Sequence, residues 1–276
     1  EIGVAAIENI CSVKLLNVLH IWNTAGVGSI IARHMDKTFG TQSWVITIGR
    51  SDKFGLTTYG ECWDCGAKIF TLKALLISIR YDLLHIHSFD RMVPLLKIVY
   101  PKKPVVLHYH GTDIRDRWSQ RRRYWSKSDL VIVSTPDLLD GAPERVIYLP
   151  NPVDTKYFKP SGQRTIGTAL YFIKHHRRED VHWPREVAAH HHLELTISER
   201  EIPYSKLCEF LNEFEFYIDR KYIESLSKTA LEALACGLKV IAWNEKVVEG
   251  LPEEHTPEKV VEKLWNLYRV LCRSQH

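Results

Sequence analysis

The chain has 276 residues, 45% hydrophobic and 25% charged, which supplies apolar material for a sizeable core and excludes a disordered chain, a collagenous repeat and a disulfide mini-scaffold. Its net charge of +4 is unevenly placed: residues 1–150 carry 19 Lys+Arg against 14 Asp+Glu, and residues 151–276 carry 18 against 19. That excess is too small for a dedicated nucleic-acid footprint, so nucleic acid is not expected as a partner.

Strand-length apolar runs alternate with longer amphipathic segments, which predicts repeated βα units and parallel sheets, an α/β fold. Residues 15–21 read as the first strand, followed by the turn Asn23-Thr24-Ala25-Gly26-Val27-Gly28 and a helix over 29–38. Strands are expected at 44–48, 83–86, 105–109, 130–133 and 146–149, with helices at 72–79, 93–99 and 117–126. Pro150-Asn151-Pro152 is the strongest interior punctuation, because two prolines interrupt both helix and ladder. It divides the chain into domains 1–151 and 152–276. In the second domain, strands at 169–173, 192–197, 214–218 and 238–243 alternate with helices at 204–212 and 226–235. The latter helix ends at Cys236-Gly237, and a last helix runs over 257–271 with Pro257 in its first turn.

Six scattered cysteines do not form a disulfide framework, so a reducing, cytoplasmic setting is expected, in solution or at the inner membrane surface. Cys62 and Cys65 form a lone CxxC with no second pair, which reads as loop thiols rather than a metal site. No apolar run reaches the ~18 residues of a membrane span, and the first residues lack the basic start of a signal peptide.

Four groups of residues carry candidate chemistry. Gly26 and Gly28 precede a helix, where backbone N–H groups and the helix dipole suit a phosphate. A tight structural turn explains them almost as well, and Ile31 stands where a dinucleotide fingerprint has its third glycine. His85 with His87, and His108 with His110, occupy alternate positions at the ends of two strands, so each pair shares a face beside the crevice of a parallel sheet. His110 is placed best, next to Gly111 and Asp113, with a structural role as the even alternative. Glu224 and Glu232 are separated by seven residues, the first in a loop and the second in an Ala/Leu/Thr helix where a solvated charge has no place; Ser227 and Thr229 can cap that helix. A carboxylate there can accept two hydrogen bonds from paired sugar hydroxyls. Finally, Arg115, Arg117, Arg121, Arg122, Arg123 and Lys127 interleave with Trp118, Tyr124 and Trp125. This suits membrane headgroups or a phosphorylated molecule, while a solvated helix with ion-paired arginines is the competing reading.

The segment 224–242 resembles the two-glutamate segment of retaining GT-B glycosyltransferases, in particular glycosyltransferase family 4. The similarity extends to 23–32, 81–88, 103–115 with its His-Gly-Thr-Asp-Ile-Arg ending, and 128–160 with Leu-Pro-Asn-Pro-Val-Asp-Thr-Lys-Tyr-Phe-Lys-Pro. The resemblance implies two Rossmann-like domains with parallel sheets facing across a cleft, the first for the acceptor and the second for the donor. It implies metal-independent, retaining transfer from a UDP- or GDP-sugar to a hydroxyl acceptor, with no cofactor. Glu224 would approach the donor sugar and Glu232 would hold the ribose. Ser225, Ser227, Lys228 and Thr229 would contact phosphates or sugar, with Gly26 and Gly28 facing the donor phosphates. His110 would orient the reacting sugar, and the last helix would pack back on the first domain. Arg115, Arg121, Arg122 and Arg123 would face an anionic or lipid-linked acceptor, with peripheral membrane contact. A Glu232→Ala variant would lose nucleotide-sugar binding with its fold intact.

Two departures from the family pattern stand out. Residues 170–178, Leu-Tyr-Phe-Ile-Lys-His-His-Arg-Arg, lack the family's glycine, leaving Lys174, Arg177 and Arg178 as the cations for a leaving diphosphate. The second domain reads as shortened, with little between residues 173 and 193 where a helix-bearing segment is usual. A degenerate member that binds a nucleotide sugar or a partner without transfer is therefore the alternative.

Overall fold

A computed structural model of the protein describes residues 15–173, 181–219 and 222–273. The first seven strands, β1 (Asn17–Ile21), β2 (Gln42–Ile48), β3 (Glu61–Trp63), β4 (Leu83–His87), β5 (Val105–Tyr109), β6 (Leu130–Val133) and β7 (Val146–Tyr148), form one sheet of order β3-β2-β1-β4-β5-β6-β7. Every pairing in it is parallel. β4 and β5 are buried along their whole length, so both faces must be covered and their sequences are near-continuous apolar runs broken only by histidine.

Strand alternation sorts the core onto two faces. Leu19, Leu84, Leu107 and Val131 pack under α2 (Ala67–Ile77), α3 (Met92–Val99) and α4 (Trp118–Trp125). Val18, Leu83, Val106 and Ile132 pack under α1 (Val27–Phe39). Right-handed crossovers produce this division, since the order reverses between β3 and β4. β3 and the early start of α2 were not legible in the sequence: Glu-Cys-Trp is too short for a period, and Lys68 and Lys73 dilute the apolar pattern of the helix.

The second sheet contains β8 (Thr165–Ile173), β9 (Glu194–Glu199), β10 (Phe214–Ile218), β11 (Lys239–Ile241) and β12 (Val247–Val248) in the order β12-β11-β10-β8-β9. All its pairings are parallel except β11–β12. The α/β reading with two parallel-dominated sheets therefore holds. The reading of little structure between residues 173 and 193 does not, because α5 (His182–His190) lies there and buries Trp183, Val187 and Ala188 against β8 and β10. Its apolar positions were masked by flanking histidines and arginines. Helices α6 (Tyr204–Leu211) and α7 (Lys228–Ala235) complete the second unit.

The last helix, α8 (Pro257–Arg273), leaves the second unit and returns to the first, where Val260, Val261, Leu264 and Tyr268 pack with Ile31 and Met35 of α1. The segment after β7 and the start of α8 run side by side: Val153 N–H donates to the His255 carbonyl, and His255 Nδ1 lies 2.8 Å from the Asn151 carbonyl.

Candidate functional site

The carboxyl ends of β1, β4, β5 and β6 converge on a buried array of imidazoles. His20 Nδ1 lies 3.1 Å from His87 Nε2, His87 Nδ1 lies 3.0 Å from His110 Nε2, and His110 Nδ1 lies 2.7 Å from Ser134 Oγ. Ser134 Oγ is also 3.0 Å from His108 Nε2, and His85 Nδ1 is 2.6 Å from the Tyr268 hydroxyl of α8. Strand register dictates this convergence: His20 pairs with His85 and His87 with His108 across neighbouring strands. A neutral imidazole donates at one nitrogen and accepts at the other, so the links form a polarised chain that can run in either direction. Both directions leave an end unsatisfied, and His20 Nε2 and His108 Nδ1 are indeed without a hydrogen-bond partner.

Burial holds these rings neutral. It pushes His20 and His110 down to about 4, with Asp36 and Asp113 respectively opposing the shift. His85, His87 and His108 lie well below the ordinary imidazole range for the same reason, reinforced by their neighbours' charge. The ligand nitrogens of His20, His85 and His87, and of His87, His108 and His110, lie within 4.8 Å of one another. The rings nevertheless stack nearly parallel, His85 on His87 at 20° and 4.2 Å. In-plane lone pairs of stacked rings do not converge on one ion, and most already serve hydrogen bonds, so the geometry is that of a hydrogen-bond chain.

His110 sits at the solvent-accessible end of the chain. Asp113 fixes its backbone by accepting from the N–H groups of His110 and Gly111, at 2.9 and 2.7 Å. Across from it, the turn after β1 is held by Asn23, whose Oδ1 accepts from Ser29 N–H and whose amide donates to Thr57 Oγ1. Gly26 occupies the left-handed region at φ +74° as the residue before α1. Gly28 allows a close approach: a Cβ there would stand 3.0 Å from Asn23 Oδ1 and 3.3 Å from His87 Nε2. Gly28→Ala is accordingly expected to destabilise the protein by about 1–3 kcal/mol through overpacking, measured by urea unfolding. Trp22, Ala25 and Ser88 also adopt positive φ without being glycine, and Thr24 Oγ1 donates to Ser88 Oγ at 2.8 Å. Such backbone strain concentrated around one crevice marks it as a built site.

From the second unit, Ser227 caps α7 by accepting from Ala230 N–H, and Asp219 in turn accepts from Ser227 N–H. Glu224 is exposed in the loop before the cap. Its neighbour Ser225 reaches the first unit, donating to Asp137 at 2.7 Å, and Asp137 is ion-paired with Arg115. Hydrogen bonds from Thr135, Ser225 and Arg115, with the Arg115 charge, hold the Asp137 carboxyl below the usual range despite its burial. The Glu224 loop is thereby pinned to the segment that follows His110.

Glu232 is fully buried. One carboxylate oxygen accepts from Lys228 Nζ at 2.7 Å; the other has no hydrogen-bond partner and faces the Arg200 guanidinium at 3.7 Å. Lys228 and Thr229 are buried with it. The expectation that Glu232→Ala leaves the fold intact is corrected by this pairing, since the variant would strand a buried ammonium.

Of the basic stretch, Arg115 is spent on Asp137 and Arg121 on Asp90, while Arg122 and Arg123 are exposed, Arg123 over the Tyr124 ring. Lys174 and Arg177, with Arg178, lie outside the described residues. Cys62 and Cys65 are free thiols, Cys62 Sγ donating to Asp52. His20, Ser134 and Tyr268 were missed from the sequence. The strand register exposes the first, whereas Ser134 resembles an ordinary strand stop.

Glycosyltransferase Family 4 matches residues 29–157, which span the first sheet from α1 onward together with the crossing into the second unit. Among solved structures, sucrose-phosphate synthase from Thermosynechococcus elongatus is similar at 12% identity over 94% of this chain and 93% of that one, with a TM-score of 0.54. A UDP co-structure of MnaA from S. aureus aligns at 15% identity over 95% and 90%, TM-score 0.49, and MurG from Acinetobacter baumannii at 11% over 95% and 93%, TM-score 0.40. No curated protein matches the chain. The fold is GT-B, and residues 29–157 of its first unit are similar to Glycosyltransferase Family 4.

Proposed function

We propose that the protein is a retaining, metal-independent transferase that moves a sugar from a UDP- or GDP-sugar to the hydroxyl of an anionic or lipid-linked acceptor. The observation that carries this reading is the link Ser225–Asp137–Arg115, which brings the Glu224 loop of one unit onto the His110 loop of the other. His110, kept neutral by burial, is bonded at both ring nitrogens, to Ser134 and His87, and would meet a sugar hydroxyl by exchanging one of those bonds, without adding a charge. Glu224 is exposed to meet the donor sugar, and the Glu232 oxygen that faces Arg200 without a hydrogen bond would accept one from a ribose. Gly26 and Gly28, with Lys174 and Arg177, would serve the diphosphate, whose departure needs electrostatic support.

The test is a thermal-shift panel of UDP-, GDP- and ADP-sugars, because a ligand of the native state raises its melting temperature. One donor is expected to stabilise the protein, and His110→Ala is expected to slow transfer by about 10²-fold or more while leaving that shift unchanged. Normal turnover in His110→Ala would remove His110 from the reaction. The buried Glu232–Lys228 pair and the missing glycine at 170–178 favour a second reading, donor binding without transfer. Stabilisation by a donor with no turnover of any acceptor would select it.

A further inference from the structure

The layer of helices opposite α1 and α8 has an outer face that the transfer reaction does not use. α2 carries apolar residues on its outer as well as its inner face: Phe70 and Ala74 face the core, while Leu72 and Leu76 are 58% and 63% exposed, followed by Ile79 at 67%. A helix of this kind belongs between two apolar surroundings. α3 packs beside it and repeats the arrangement, burying Met92, Val93 and Leu96 and exposing Leu95, Ile98 and Val99. The exposed residues recur at i, i+3, i+4 and i+7 spacings, so they form two adjoining stripes and one continuous patch of a kind that soluble surfaces rarely leave open.

The charges on the two helical segments have one sign, while Asp129 pairs with Lys97 of α3 and exposed Glu61 and Asp64 precede α2. Residues 67–80 and 91–103 contain no Asp or Glu. Lys68, Lys73, Arg80, Arg91 and Lys102 are exposed there. α3 also contacts α4, whose exposed Arg122 and Arg123 extend the basic rim beside Tyr124. Apolar side chains at the centre with cations and an aromatic ring at the border match the acyl-to-headgroup boundary of an anionic bilayer, where the side chains enter the interface and the cations meet lipid phosphates. Among the described residues no helix is long and apolar enough to cross a membrane, so the contact is one of lying on the surface.

We propose that the outer face of α2 and α3 is a docking surface for an anionic lipid membrane. The docking goes beyond the transferase reading and stands apart from it. The test is flotation of the full chain with vesicles of equal parts phosphatidylglycerol and phosphatidylcholine, and with phosphatidylcholine alone. The protein is expected to float with the anionic vesicles and to remain at the bottom with the neutral ones. Leu72→Glu combined with Ile98→Glu is expected to lower the bound fraction at least about tenfold, with an unchanged melting temperature. Lys73→Glu with Lys102→Glu, at exposed polar positions, is expected to do the same through charge alone. No flotation of the unaltered chain, or equal flotation of both variants, overturns the proposal. So does a dimer in lipid-free solution that Leu72→Glu dissociates, since the face would then belong to a second copy. An active enzyme that does not float overturns the docking alone, and a floating chain that binds no donor overturns the transferase reading alone.

Discussion

Lowering the pH from 7 to 5 is expected to destabilise the protein steeply. His20 and His110 titrate near 6.5 when unfolded and at about 4 in the folded protein. Between those values the unfolded chain binds more protons, so stability rises with pH and falls as pH drops through 6.5 toward 4. Each of these two groups then contributes about 2 kcal/mol of lost stability at pH 5. His85, His87 and His108 are shifted in the same direction and add to the loss. A native stability of roughly 5–15 kcal/mol does not absorb such a sum easily, so a sharp acid transition between pH 6.5 and 4 is the expected result of urea titrations across that range. His20→Gln and His108→Gln should flatten the dependence. An unchanged slope in both would show that the rings are not held neutral by their burial.

Glu232→Ala is expected to cost about 3–5 kcal/mol, because it leaves the Lys228 ammonium buried without its partner. Replacing both residues, as in Lys228→Met with Glu232→Leu, should be close to neutral, since well-packed apolar groups often match a buried ion pair. Equal losses in the single and double variants by urea unfolding would refute the pairing argument. Binding is read separately with Glu232→Gln, which keeps the acceptor for Lys228. That variant is expected to remain folded and to lose the melting-temperature rise produced by the donor.

Much of the fold was legible because periodicity and punctuation agree. The expected bounds of β5, β6 and β10 coincide with the observed ones, each being an apolar run closed by Gly, Ser-Thr-Pro or Asp. Elements whose apolar positions are few or diluted, such as β3 and α5, were not legible, since three residues define no period and histidine hides an amphipathic face. In the candidate site, His110 and the capping Ser227 follow from local spacing alone. The partners that decide what those residues can do are distant: Tyr268 reaches His85 across 183 positions, and Ser225 meets Asp137 across 88. The Lys228–Glu232 pair is the exception, a four-residue helical spacing that sequence could have flagged.

The return of α8 to the first sheet has a consequence for biosynthesis. Domains generally fold as units while the chain emerges, the amino-terminal one first. Here the core over Val18, Leu83 and Val106 is covered by Val261, Leu264 and Tyr268, residues translated only after the whole second sheet. The first sheet therefore leaves the ribosome with the face under α1 only partly covered, waiting through more than a hundred residues of synthesis for α8. During that interval the polypeptide presents an apolar surface to chaperones, and a ribosome stalled before Pro257 would release a product prone to aggregation.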